Sequence, residues 1–431
     1  MRTRTGRRAG ARAPEKRFLI NYTIIGQQTR NSIDKKQREG RLKQKLAIIG
    51  ASYLQLPLVR KASEMGISTL CFAWEDGAVC KEEADEFIPV SITEKERIAE
   101  ICREKGVDGV TSIASDVAVP TISHVAASLV LIGNSEKSAQ LSTNKFLMRK
   151  ALAEAGVRCP PFSLVRSVAD ARTAVGSIPY PVIVKPCDRS GSMGVARVEA
   201  SSELDVAVER ALACSFCHQA VLEAFIEDAR EISVEGISWE GEHFVLTVTD
   251  KVTTGAPHYV ELGHHQPSDL PESIVAEAIA QVKRGIRALG IEYGASHPEL
   301  MISRDGEVYV TEIGARMGGD FIGSDLVQLS TGYDFLRGVV EVALGRFTPP
   351  VTSKEHCSGV WFYSPQTPGV KDLILSRHPA IVRSELHPDE LKELTRSADR
   401  AGFFVYQAPE RLNIGIETEH RSTSPWFQQR G

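Results

Sequence analysis

The 431-residue sequence predicts a mixed α/β and α+β protein with a parallel-sheet domain first, a two-lobed domain next and a small module last. Three observations carry this. From residue 45, short apolar runs alternate with apolar-periodic helical stretches, the pattern of a parallel sheet with both faces covered. From residue 180, strand-like runs follow one another across Gly or Asp turns, interrupted by two helical stretches, as in α+β lobes. Pro349-Pro350 then sets off the final 80 or so residues.

Taken in order, residues 46–49 form a strand, Gly50-Ala51-Ser52-Tyr53 a tight turn and residues 54–65 a helix. The turn lacks the full spacing of a dinucleotide-binding glycine loop, so it reads as a plain strand-to-helix connection. A strand at 69–73, a helix at 93–105, a strand at 109–113 and a helix at 117–128 complete the first domain. A helix over 143–155 ends at Gly156 and Pro160-Pro161. Strands are expected at 180–186, 194–198, 220–225, 231–239, 242–250, 299–303 and 307–313, with helices at 202–214 and 273–289. Beyond Pro350, residues 359–363 and 402–407 are strand-like. The expected divisions are 1–44, 45–140, 141–350 and 351–431.

Composition is that of a globular chain, 42% hydrophobic and 25% charged. No run of 18 apolar residues occurs, and the apolar stretch 18–25 is broken by Asn21 and Thr23, so neither a membrane partner nor a secretory leader is expected. Eight scattered cysteines, most in apolar segments, suit reduced thiols of a cytoplasmic protein. Cys214 and Cys217 form a CxxC without the companions of a zinc site. The net charge of -4 conceals an asymmetry: the first 45 residues hold 14 Lys or Arg against 3 Asp or Glu, or +11, which leaves -15 for the rest. That basic tail has little aromatic interleaving, so nucleic acid is not an expected partner; disorder or a start placed too far upstream is the reading.

The chemistry sits further along. Val182-Ile183-Val184-Lys185-Pro186 ends an apolar strand on a lysine, and the small-residue loop Arg189-Ser190-Gly191-Ser192-Met193-Gly194 follows. Such a loop can bring its amides close to phosphates. His297-Pro298-Glu299 and Glu312-Ile313-Gly314-Ala315-Arg316-Met317-Gly318-Gly319 flank a turn at Arg304-Asp305-Gly306, which predicts antiparallel neighbours with Glu299 and Glu312 on one face. Two carboxylates so placed repel unless a cation lies between them, and a hard Mg²⁺ ion that also binds phosphates would serve.

The order Lys145, Val-Lys185-Pro, glycine loop, Leu222-Glu223-Ala224-Phe225-Ile226, Glu231, Glu299, Glu312, Arg316 resembles the ATP-grasp superfamily over residues 45–350. The resemblance implies a Rossmann-like first domain and a two-lobed ATP-grasp domain of the biotin-carboxylase-like layout. It implies ATP as the nucleotide, held at Lys145, Lys185, Ser190, Gly191, Ser192 and Gly194. Adenine would lie on Glu223, Ala224, Phe225 and Ile226, and the ribose on Glu231, with Glu227 as the alternative. Glu299 and Glu312 would bind Mg²⁺, with Mn²⁺ as a substitute, while Arg316 and Lys185 would stabilise the phosphate in transfer. Many members carry Asn two residues after the second metal carboxylate; Gly314 stands there, which leaves a second ion in doubt.

Thr249-Asp250-Lys251, then Pro257-His258-Tyr259-Val260-Glu261-Leu262-Gly263-His264 and Pro267, are similar to the substrate segment of L-amino-acid ligases and carnosine-synthase-like enzymes. This implies carboxylate-amine ligation through an acyl phosphate, with Lys251, Glu261, His264, His297, Arg316 and Gly318 facing small-molecule carboxylate and amine substrates, and a homodimer by analogy. His264-His265 in a mobile loop is the competing reading of that segment. A carboxylating or purine-pathway enzyme, or an ATP-binding protein without turnover, are the alternatives.

Overall fold

The computed structural model describes residues 43–414, except 192, 257, 354 and 388–390. The readings made for the basic tail through residue 42, and for Ser192, lie outside the described residues.

Strands β1 (Lys45–Ile49), β2 (Ser68–Ala73), β3 (Glu86–Pro89) and β4 (Gly109–Thr111) form a parallel sheet in the order β3-β2-β1-β4. Helices α1 (Leu56–Glu64), α2 (Lys95–Lys105) and α3 (Val119–Leu129) accompany it. Ala47, Ile49, Leu70 and Phe72 enter one apolar cluster and Leu46, Ile48 and Cys71 another. Burial of alternate residues on both faces is why these strands read as unbroken apolar runs. The carboxyl ends of β1 and β4 are tied together, Gln55 Nε2 donating to the Ile113 carbonyl at 2.7 Å.

The helix expected at 143–155 is α5 (Lys145–Glu154), and a further helix that the sequence reading lacked, α4 (Glu136–Thr143), precedes it. Asn144 is extended between them, and its side-chain oxygen accepts from the Leu147 amide at 3.0 Å. An Asn that caps a helix satisfies an otherwise orphaned amide. The cap thereby sets Lys145 at the first position of α5.

A second sheet holds β5 (Phe162–Val165), β6 (Val182–Pro186), β7 (Ala196–Val198) and β8 (Ala220–Ala224), antiparallel in the order β5-β8-β6-β7. Helices α6 (Val168–Ala174) and α7 (Ser201–Cys214) cover it through Ala171, Leu204 and Val208 against Val182, Val184 and Leu222.

The third sheet comprises β9 (Arg230–Trp239), β10 (Glu242–Thr253), β11 (Glu261–Gln266), β12 (Gly294–Ile302), β13 (Val308–Gly314), β14 (Cys357–Phe362), β15 (Ile381–Leu386) and β16 (Gly402–Ala408). Its order is β13-β12-β9-β10-β11-β14-β16-β15. Helix α8 (Glu272–Ala288) buries Val282 and Ile286 against Ile232, Leu300, Val310 and Ile313 on one face. The other face is polar and holds the site. Helices α9 (Val327–Thr331), α10 (Phe335–Ala343) and α11 (Gly369–Leu375) complete the elements described here.

Two differences from the sequence reading matter. His264 and His265 do not lie in a loop: they belong to β11, each 1% exposed. Glu-Leu-Gly-His-His-Gln lacks apolar alternation because polar side chains fill buried positions on both faces, His264 against Phe362 and His265 against Trp361, so periodicity missed the strand. The C-terminal strands, expected as a module, continue the same sheet, since β14 pairs with β11 through Gly263↔Trp361 and His264↔Val360.

Asp250 fastens the C-terminal segment to the sheet. It accepts from Arg411 Nη2 at 2.7 Å, Ser268 Oγ at 2.6 Å and the Asp269 amide at 3.0 Å, and pairs with Arg230 at 3.2 Å. Burial alone would raise its pKa, but Arg411 and Arg230 hold it below the usual carboxylate value. A depressed carboxylate stabilises above its unfolded pKa of 3.8, and the contribution is lost as pH falls through the lower folded value. Asp250→Asn is therefore expected to cost about 3–5 kcal/mol in urea unfolding at pH 7. The gap to wild type should narrow as pH drops below 3.8; a gap constant down to acid unfolding contradicts this.

Candidate active site

Successive residues of a strand point to opposite faces, so the Glu231, Ser233 and Glu235 set of β9 shares the polar face. Glu299 and Glu312 sit directly opposite across β12 and β13. Each carboxylate already rests on a lysine: Lys251 Nζ donates to Glu299 at 2.7 Å and Lys145 Nζ to Glu312 at 2.9 Å. Lys251 also pairs with Glu231 at 2.5 Å. Burial disfavours the Lys251 charge, yet Glu231 and Glu299 outweigh it and raise the pKa well above the usual lysine value. Burial likewise opposes ionisation of Glu299, but Lys251 and His297 hold it well below its ordinary range.

His297 links this surface to a deeper acid. Its Nδ1 lies 3.0 Å from both Glu235 oxygens and its Nε2 3.4 Å from Glu299. Against the penalty of burial, Glu235 raises the imidazole pKa to about 9. Glu235 is fully buried and also accepts from Ser233 Oγ at 2.7 Å and Thr249 Oγ1 at 3.3 Å. Gly318 passes directly above this pair; a Cβ there would come within 2.8 Å of His297 Nδ1. The backbone needs glycine at 318 for that approach.

In the second sheet, Glu223 receives three hydrogen bonds from two cations. Arg149 Nε and Nη2 lie 3.1 and 3.0 Å from its Oε2, and Lys185 Nζ contacts its Oε1. Burial would raise the Glu223 pKa, but Arg149 and Lys185 bring it below the ordinary value. Burial, with Arg149 and Lys145 nearby, lowers the pKa of Lys185. With Lys145, three cations here face two carboxylates, Glu223 and Glu312, which leaves this corner with positive charge in excess and suits an anion. The Lys145 amide, at the start of α5, donates to the Cys187 carbonyl at 2.7 Å and so joins α5 to the end of β6.

The glycine loop is anchored at its root. Asp188 accepts from Ser215 Oγ at 2.9 Å and from the Phe216 and Cys217 amides at 3.0 and 2.8 Å. Arg189 stacks 3.6 Å from the Phe216 ring and donates to the Cys214 carbonyl, so it braces the loop rather than facing phosphate. Gly194 adopts φ +74, which favours glycine. Ser190 and Gly191 lie in the same loop, and Ala224 ends β8. Phe225 follows, with the Arg197 guanidinium 4.0 Å from its ring, and Ile226 is next in the connection to β9.

Arg316 is not free: Nε and Nη2 lie 2.9 and 3.0 Å from the two oxygens of Asp116. Asp116 follows β4, at the carboxyl edge of the parallel sheet where ligands of such folds gather. The edge position was a signal in the sequence; the pairing across 200 residues was not. Arg149, Glu235 and Asp116 are the functional candidates that sequence reading missed. On the far side of Lys251, Glu261 and His264 share its face, since Lys251 is paired with His264 and Thr253 with Glu261. Burial raises the Glu261 pKa, partly offset by Lys251.

Among the described residues, no group of three or more His, Cys, Asp or Glu converges on one point. Glu299 and Glu312 place two carboxylates side by side on this surface. Two hard oxygen donors suit Mg²⁺, which completes its shell with phosphate oxygens and water. The two lysines stand where the carboxylates call for positive charge.

Residues 178–325 match the family model of the ATP-grasp domain. In sequence the chain is 25% identical over 249 residues to an alanine–anticapsin ligase of Bacillus subtilis, covering 52% of this chain and 52% of that protein. It is 27% identical over 243 residues to the carbamoyl phosphate synthase large chain of Thermotoga petrophila, covering 56% of this chain and 21% of that one. The chain thus spans about one-fifth to one-half of these curated relatives. In structure it is similar to the L-amino acid ligase from Bacillus licheniformis, with a TM-score of 0.71, 23% identity and coverage of 86% and 94% of the two chains. It is equally similar to an ADP complex of N5-carboxyaminoimidazole ribonucleotide synthetase, with a TM-score of 0.71, 18% identity and coverage of 89% and 97%. The mixed parallel and antiparallel architecture is the one these structures share.

Proposed function

We propose that the protein is an ADP-forming ligase that joins a carboxylate to an amine, with amino acids as substrates. The observation that carries this reading is the opposition of Glu299 and Glu312 across β12 and β13, each resting on a lysine from another element. Similarity to the anticapsin ligase and to the amino acid ligase supports it.

ATP would lie between the second and third sheets, its phosphates on Lys145, Lys185 and the loop amides. Adenine would stack by the segment 223–226, and Glu231 would take the ribose. Mg²⁺ bound at Glu299 and Glu312 supplies charge neutralisation for the phosphates; Mn²⁺ belongs to the same proposal. A substrate carboxylate oxygen attacks the γ-phosphorus, the bond to the β-phosphate oxygen breaks and ADP leaves. Lys185 and Arg316 balance the charge that spreads over the transferred group. The amine of the second substrate then attacks the acyl carbon, and phosphate departs with the oxygen that the acid brought. Lys251, Glu261, His264, His297 and Gly318 shape the substrate side. The domain divisions at residues 140 and 350, the second a boundary along the chain and not within the third sheet, a cytoplasmic location and a homodimer belong to the same proposal.

The test is phosphate release from ATP and Mg²⁺ across amino acids, singly and in pairs, with mass spectrometry of the products. Release that requires a pair and yields a dehydrated adduct is the expected result. Release that requires bicarbonate instead supports a carboxylating enzyme.

A further inference from the structure

We infer that the Lys251 ammonium holds the place of a second divalent ion, so that the site takes one Mg²⁺ with each nucleotide. The inference rests on the ATP and Mg²⁺ of the ligase reading and fixes how many ions the chain's own charges leave room for.

The polar face of the third sheet carries Glu231 on β9, Glu299 on β12 and Glu312 on β13. Lys251 reaches across it from β10, with β9 and β12 next in order. Its Nζ lies 2.5 Å from Glu231 Oε1 and 2.7 Å from Glu299 Oε1. Carboxylates gathered on neighbouring strands repel unless a cation lies between them. Here that cation is part of the chain. The Lys251 side chain is 5% exposed, so an ion that displaced Nζ from both glutamates would strand a buried ammonium, a severely destabilising change. The strand is also fixed in place: Asp250, next along β10, is bonded to Arg411, Ser268 and the Asp269 amide.

The remaining oxygens fit one ion. Lys251 and His297 both meet Glu299 at Oε1, and Lys145 meets Glu312 at Oε1. Oε2 of each glutamate takes no hydrogen bond among the described residues. Because Glu299 and Glu312 are directly opposite, these two atoms offer two donors to one Mg²⁺, whose octahedron phosphates and water complete. Lys145 is placed differently from Lys251. It has one carboxylate partner and lies with Arg149 near Lys185, in the corner that suits phosphate, so nucleotide can draw it off Glu312.

An independent feature closes the other side. A second ion beside Glu312 needs a further donor on β13, and Gly314, two residues on and on the same face, has no side chain to give. A Cβ at 314 would stand 3.2 Å from Asp116 Oδ1 and 3.3 Å from Arg316 Nε, so the Asp116–Arg316 pair fills the space a donor would enter. One ion thus sits between two fixed cations of the chain, Lys251 and Arg316.

The experiment uses Mn²⁺ as the probe. The full chain, in excess over a non-hydrolysable ATP analogue so that all of the analogue is bound, is titrated with Mn²⁺ and the free ion is measured by electron paramagnetic resonance. Wild type should bind one ion per bound nucleotide. Lys251→Met, which releases Glu231 and Glu299, should bind two, and its ADP formation should gain a dependence on Mg²⁺ in excess of ATP that wild type lacks. Two ions in wild type overturn the inference and leave the ligase reading standing, and that count needs no variant to fold. One ion in a folded Lys251→Met variant also overturns it, because the ammonium is then not what excludes the second. Mn²⁺ held no more tightly with the chain than by the analogue alone overturns the cation site of the ligase reading, and this inference with it.

Discussion

Exchange of Glu299 for Gln is expected to lower ADP formation by about 10³-fold, the scale seen when a charge-stabilising group is removed from a buried reaction site. The carboxylate does two things here. It would form half of the proposed cation site opposite Glu312, and it holds Lys251 by a 2.7 Å hydrogen bond between two strands. In the variant, Lys251 keeps Glu231, so the fold should survive with the lysine drawn toward β9. Turnover at saturating ATP, measured across a Mg²⁺ titration, should show both a lower plateau and a higher half-saturating concentration. Activity within tenfold of wild type would remove Glu299 from the cation site.

The second large effect concerns Arg316. Arg316→Ala should lower ligation by at least about 10²-fold while ATP still binds, because in the proposed mechanism Arg316 meets the transferred phosphate only as charge develops. Its 2.9 and 3.0 Å bonds to Asp116 complicate the substitution. Loss of the arginine leaves a buried carboxylate without its partner, at about 3–5 kcal/mol. Arg316→Ala/Asp116→Asn removes both charges and should regain stability without regaining activity. Recovered ligation in the double variant would make Arg316 a scaffold residue.

How much of this was legible beforehand follows from distance along the chain. Glu299 and Glu312 are close in sequence and joined by a tight turn, so their antiparallel neighbourhood was legible, but the bulge between Glu299 and Leu300 that sets them directly opposite was not. Lys185 announced itself by ending an apolar run. The parallel sheet was readable because burial on both faces leaves unbroken apolar strands. What stayed hidden depends on partners brought together only by folding: Asp116 under Arg316, Arg149 under Glu223 and Glu235 under His297. Their side chains are ordinary surface types, and no local spacing marks a charge that will be buried. The strand β11 was hidden for the same reason. A run such as Glu-Leu-Gly-His-His-Gln looks like loop until Thr249, Ser330 and Tyr406 are in place to satisfy its polar groups; Gln266 Nε2 donates to Thr249 at 3.0 Å, and His265 Nδ1 lies 3.0 Å from the Tyr406 hydroxyl. Asn144 shows the converse: a capping residue stood at the start of the expected helix, and the structure begins α5 directly after it.

The central claim is that the acid is activated as its acyl phosphate, and the fate of one oxygen tests it. With the acid substrate labelled with oxygen-18 in its carboxylate, the released inorganic phosphate should carry one labelled oxygen for each amide bond formed. Unlabelled phosphate accompanying amide product would contradict the account, because the bond would then have formed without phosphoryl transfer to the acid.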